Sequence, residues 1–169
     1  ASDVYKRQQP TAMSVNTKAG FSIVKYPGGN AENTIPHGLN KAPEMVIVKN
    51  ITSSANGSAG AHWVVRHQAM GMTGSGAECQ MYMSLTAGSS ANDHGTIITN
   101  GNDLLEIKES VNSIKYFHVG ESGQEYIAYC WHSVPGYSAF GSYTAGETFV
   151  YTGFKPAFLM VKQATGSTN

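Results

Sequence analysis

The sequence predicts an all-β protein, a β-sandwich of jelly-roll-like form, with a small β-barrel as the alternative. Three observations predict it. Apolar residues fall in short runs, several of them alternating with polar residues at the two-residue period of a strand. Turn residues separate the runs: there are 19 glycines, and Pro27-Gly28, Asn100-Gly101 and Pro135-Gly136 each mark a reversal. No stretch shows the apolar spacing of a long amphipathic helix.

Taken in order, Gly20 to Tyr26 reads as a first strand, with Phe21, Ile23 and Lys25 on one face and Ser22, Val24 and Tyr26 on the other. Pro36-His37-Gly38 and Ala42-Pro43 punctuate the connection that follows a short stretch at Thr34-Ile35, and His37 is expected to hydrogen-bond within its own turn. Met45 to Val48 is apolar at every position, as expected of a central strand covered on both faces. A polar loop, Ile51 to Gly60, leads to a strand over His62 to His67, with Trp63, Val65 and His67 on one face. Cys79 to Leu85 alternates, which places Cys79, Met81, Met83 and Leu85 inward. After a turn-like segment, Ala87 to Gly95, the segments Thr96 to Thr99 and Leu104 to Lys108 pair as a hairpin around Asn100-Gly101. Glu125 to Ser133 is a long aromatic strand.

Eleven basic residues balance eleven acidic ones, and 13% of residues are charged. That composition lacks the basic stripe that a phosphate backbone demands, so nucleic acid is not an expected partner. No apolar run reaches the ~18 residues of a membrane-spanning helix, and no membrane partner is expected. The two cysteines, Cys79 and Cys130, read as buried thiols, with a disulfide as the alternative.

A repeat organises the domains. The segment from Ile35 to Asn50, IPHGLNKAPEMVIVKN, returns in shortened form at Thr152 to Gln163, TGFKPAFLMVKQ, which aligns Pro43 with Pro156. Tyr26 likewise corresponds to Tyr143. Residues 20–136 are therefore expected to form one module and 137–169 the start of a second, truncated copy. In that copy Phe149, Phe154, Phe158, Leu159 and Met160 are expected to pack against the first module or to form an open sheet edge. Residues 1–19 read as an artefact and linker, because ASDVYKRQ at 1–8 resembles the translated end of a transposase sequencing adapter, and both ends are expected to be cuts.

GFSIVKY, IPHGL, KAPEMVIVKN, the strand at Trp63 to Val65, GQEYIAYCWHSVPGYSAFGSY and FVYTGFKPAFLMVK together resemble a tandem β-rich module of unknown function found in marine bacteriophage structural and tail-fibre-like proteins. The resemblance covers most of Gly20 to Lys162, with Gly71 to Val119 departing more. It implies a virion location and neighbouring copies of the same module, a homo-oligomer in the full fibre, and it brings no catalytic residues with it.

The chemical candidates are sparse. Asp103, Glu106 and Glu109 are spaced by three, so neighbours point to opposite faces of a strand rather than converging on one glycosidic bond. His62 and His67 project from opposite faces, while Cys130 and His132 share one but supply only two donors for a metal. Asn92, Asp93, Asn100, Asn102 and Asp103 lack the pattern of a calcium loop. No nucleophile elbow is present. The sequence therefore predicts no enzyme, no catalytic or metal residues and no cofactor. A fibre-borne glycan hydrolase or esterase and a secreted adhesin module are the alternatives. Four aromatic residues, Tyr82, Tyr116, Tyr126 and Trp131, are the candidates for stacking on a host-surface glycan.

Overall fold

The computed structural model describes residues 9–29, 33–52, 63–70, 79–83, 90–91, 96–100, 104–108, 119–146 and 149–164. For 79–82, 90–91, 96, 98–100 and 108 it describes the backbone alone. Among the described residues ten strands run in chain order: β1 (Ala12–Asn16), β2 (Phe21–Pro27), β3 (Asn33–Pro36), β4 (Met45–Asn50), β5 (Val64–His67), β6 (Cys79–Tyr82), β7 (Ser90–Ala91), β8 (Thr96–Asn100), β9 (Leu104–Lys108) and β10 (Glu125–Trp131). A 3-10 turn, Gln68–Met70, follows β5.

The strands form two antiparallel sheets that do not close into a barrel. The larger has the order β1-β2-β10-β4-β5-β6-β7 and the smaller β3-β9-β8. The last strand, β10, lies between β2 and β4, pairing Trp131 with Phe21 on one side and with Met45 on the other. β8 and β9 pair from Thr96↔Lys108 to Asn100↔Leu104, so the expected hairpin is present, its connection at 101–103 lying outside the described residues.

The core sits between the sheets, and strand alternation builds it. In β2 and β10 every second residue is buried: Ser22, Val24 and Tyr26 in one, Tyr126, Ala128 and Cys130 in the other. These meet Ile35, Leu105, Ile107 and Ile97 from the smaller sheet, with Val46, Val48 and Val64 beside them. β4 is buried at Met45, Val46, Ile47 and Val48, so both of its faces are covered as its uniform apolarity requires. Its inward residues join this core, while Met45 and Ile47 join Val65 in a second cluster on the outer face of the large sheet.

Two interior tyrosines tie the core to the loop that enters β10. The Tyr26 and Tyr126 rings stack with centroids 5.4 Å apart. Tyr26 Oη donates to the carbonyl of Val119 at 2.8 Å, and the backbone N–H of Glu121 donates to Tyr126 Oη at 2.9 Å. Each hydroxyl therefore has a partner, which removes the penalty for burying it.

Gly28 lies where this loop meets the end of β2. Its N–H donates to the Gln124 carbonyl, and that of Gly29 to the Gly120 carbonyl, each at 2.9 Å. A side chain at position 28 would overlap the backbone carbonyl of Glu121, which a rotamer change cannot relieve. Gly28→Ala is expected to lower stability by about 1–3 kcal/mol, read as an earlier urea midpoint with an unchanged slope.

The structure departs from expectation in four places. Ala12–Asn16, assigned to a linker by its sequence, is the edge strand β1, paired with β2 from Ala12↔Lys25 to Asn16↔Phe21. All five of its residues are exposed, so backbone pairing makes it a strand, with no buried face to mark it in the sequence. Met83, expected inside, is exposed. No strand forms over 137–146 or 149–164, although this stretch repeats the sequence of earlier strands. Neither sheet takes this stretch into its strand order, and a strand-like sequence becomes a strand only within such a ladder. Phe149, Phe158, Leu159 and Met160 accordingly stay exposed rather than packing against the rest of the chain, and Phe154 is half-buried. The adapter-like residues 1–8 lie outside the described residues.

Candidate functional site

Aromatic side chains gather on the outer face of the large sheet because the register aligns the outward positions of four strands. Phe21 of β2 stacks on Trp131 of β10, with centroids 5.0 Å apart. Trp131 lies 6.1 Å from Tyr129, and Tyr129 lies 6.3 Å from Trp63, just before β5. Successive planes differ by 25°, 19° and 27°, so the four rings form one near-parallel row across the sheet. With Ile47 and Met83 they line a trough of about 550 Å³. The N–H of Met83 donates to the Trp63 carbonyl at 3.0 Å, which holds this wall in place.

Charge stands at one end of the row. Lys49 Nζ lies 5.9 Å from the centre of the Trp63 ring, within reach of a cation–π attraction. Farther along the same face Lys25 Nζ pairs with Glu125 Oε2 at 2.8 Å.

At the other end the chain after β10 crosses the face. Phe140 and Ala164 pack into the cluster of Met45, Ile47 and Val65, alongside Tyr129 and Trp131. The Phe140 ring sits 6.4 Å from that of His67. Gln68 Nε2 donates to the Phe140 carbonyl and to Glu44 Oε2, both at 3.1 Å, and Ser133 Oγ donates to Glu44 Oε2 as well. Burial, with Arg66 next and Glu44 opposing, holds the His67 imidazole below its ordinary pKa.

The four glycan candidates separate. Trp131 lies in the row. Tyr126 is withdrawn from the set: it is wholly buried, stacked on Tyr26 inside the sandwich, and has no face to offer a sugar. Tyr82 pairs with Val64 through its backbone, but its side chain lies outside the described residues, as does the whole of Tyr116. Phe21, Trp63 and Tyr129, which complete the row, were not singled out by sequence. The signal was present in the alternation of Phe21-Ile23-Lys25, Trp63-Val65-His67 and Ile127-Tyr129-Trp131, and only the register showed that these alternations share a face.

Cys130 is a free, fully buried thiol, so it is not bonded to Cys79. Burial pushes its pKa up to about 12, against a smaller lowering by the Ser22 hydroxyl. His132 is buried beside Gly20, with Nδ1 2.9 Å from the Ser133 carbonyl. His37 accepts from the Leu39 N–H at 3.2 Å, within its own turn as expected. Among the described residues no group of three or more His, Cys, Asp or Glu side chains could hold a metal. Of the carboxylate series, Glu106 stands on β9 while Asp103 and Glu109 lie outside the described residues, with Asn92, Asp93, Asn102 and His62.

The fold and this face define a two-sheet β-sandwich whose outer surface is an open aromatic trough. The chain belongs to the DUF7483 family, a domain of unknown function, whose model matches residues 7–169. The match runs through position 136 and takes in the chain that crosses the trough end. No curated protein and no solved structure matches the chain.

Proposed function

We propose that the chain is a non-enzymatic structural module of a phage virion, of tail-fibre type, that acts in repeated copies through surface contact. The observation that carries this reading is the aromatic trough: a sandwich that already encloses one core leaves a second apolar face open, as interaction surfaces do. The internal repeat and the resemblance to phage fibre phrases support it. Repeated modules strengthen attachment through avidity without a tight single site.

Mass spectrometry of purified particles from a phage that encodes the family tests the assignment. Peptides from the domain are expected in the particle fraction in multiple copies per virion. A gene set among metabolic enzymes, with no domain peptide in particles, would contradict it.

Host-surface glycan binding is a second reading, favoured by the ring row with Lys49 at its end. If it holds, Trp131→Ala is expected to weaken binding to the host polysaccharide at least about tenfold, or about 1.4 kcal/mol. Equal binding by the wild type and the variant in calorimetric titration would remove it.

A further inference from the structure

We propose that the apolar segment 149–161 of one copy docks into the aromatic trough of a second copy. The inference rests on the reading of the chain as a module that works in repeated copies, and it names the partner. The segment is anchored at both ends to the trough face, by Phe140 and by Ala164. Between these anchors Phe149, Tyr151 and Phe158 are 78%, 82% and 81% exposed and Leu159 is 73% exposed, with Val150, Met160 and Val161 exposed beside them. Water is a poor solvent for such a cluster, and its size exceeds the single apolar residues common on protein surfaces.

The trough is the complementary surface. Its walls are Phe21, Ile47, Trp63, Met83, Tyr129 and Trp131, and its volume of about 550 Å³ falls in the range of sites that enclose a ligand. Apart from the Tyr129 hydroxyl, two indole N–H groups and the weakly accepting Met83 sulfur, these side chains cannot hydrogen-bond, so the trough suits apolar side chains better than a hydroxyl-rich ligand. The segment also offers apolar area. Three rings about four-fifths exposed offer roughly 400–600 Å². With the neighbouring Val, Leu and Met side chains the segment approaches the roughly 800 Å² that each partner buries in a standard interface. Docking would also continue a contact that exists, since Phe140 and Ala164 already share a cluster with the trough walls Ile47, Tyr129 and Trp131.

Because segment and trough are different surfaces of one chain, the contact is head to tail and can propagate from copy to copy. Sedimentation equilibrium on the full chain over a range of concentrations tests it. The wild type is expected to exceed the mass of one chain and to fall towards it on dilution. Phe158→Ser with Leu159→Ser, which disables the segment, and Met83→Glu, which places a charge in the trough, are each expected to be monomeric. Mixing these two variants is expected to restore a one-to-one pair, because one still has a trough and the other a segment. Trp63→Ser replaces Met83→Glu if the latter loses its circular dichroism spectrum. A wild type that is monomeric at every concentration, with the segment folded on its own trough or free, overturns the proposal. So do variants that lose association but fail to complement each other, since that outcome marks a contact of like with like. Absence from virions would refute the fibre reading alone and leave this association standing.

Discussion

Replacing Tyr126 by alanine is expected to destabilise the domain by about 3–5 kcal/mol, the range for removing a buried aromatic ring. The ring is fully buried, it stacks on Tyr26, and its oxygen accepts the Glu121 N–H. The substitution opens a cavity between the sheets and strands that N–H, and both effects act in the same direction. A typical domain is stable by only about 5–15 kcal/mol, so a large share of the total is at stake. Urea unfolding followed by circular dichroism measures it. An exposed sugar-stacking tyrosine would change stability by no more than about 0.5 kcal/mol, and that result would place Tyr126 on the surface, as its sequence suggested.

Alkali is expected to unfold the protein steeply. Burial raises Tyr26 well above the ordinary phenol value, with Tyr126 and Cys130 adding to the shift. Burial also pushes Tyr126 and Cys130 up to about 12 each. In the unfolded chain the thiol ionises from about pH 9 and the phenols from about pH 10. Above those values the unfolded state holds fewer protons than the folded one, so stability falls as pH rises. Each group removes about 1.4 kcal/mol per pH unit within its window, so the fall steepens as the phenols join the thiol. Tyrosinate absorbance from the two interior rings should appear together with the loss of circular dichroism. Ionisation of these rings ahead of unfolding would contradict their burial.

Much of this fold was legible in the sequence, because alternation and turn chemistry act over a few residues. Gly20 to Tyr26, Met45 to Val48 and Glu125 to Ser133 all read as strands, which the structure places at Phe21–Pro27, Met45–Asn50 and Glu125–Trp131, and the uniform apolarity of β4 correctly placed it at the centre of a sheet. β1 was not legible, since an exposed edge strand held by backbone pairing carries no apolar signal. Tyr126 and Trp131 show the finer limit. They stand five residues apart in one strand and therefore face opposite ways, yet nothing local says which face is enclosed by the second sheet. That depends on β3, β8 and β9 folding across the Tyr126 side, a long-range outcome. The aromatic row is legible only once Phe21↔Trp131 and Ile47↔Tyr129 are known as register partners. Thr152 to Gln163 forms no strand although it repeats the sequence of earlier strands, because strand-like sequence acts locally while a place in a sheet is settled by long-range pairing.

Trp63 and Trp131, the only two tryptophans in the sequence, both line the trough, so tryptophan emission, excited at the red edge where tyrosine does not absorb, reports on the proposed working face alone. Acrylamide quenching of the full chain, measured from dilute to concentrated protein, is therefore the most direct test. If the trough receives the apolar segment of another copy, quenching should weaken as association proceeds, while the variant with Phe158→Ser and Leu159→Ser should keep the dilute value throughout. Quenching that stays constant while the wild-type chains associate would show that the copies meet elsewhere and that the aromatic face is not the surface that joins them.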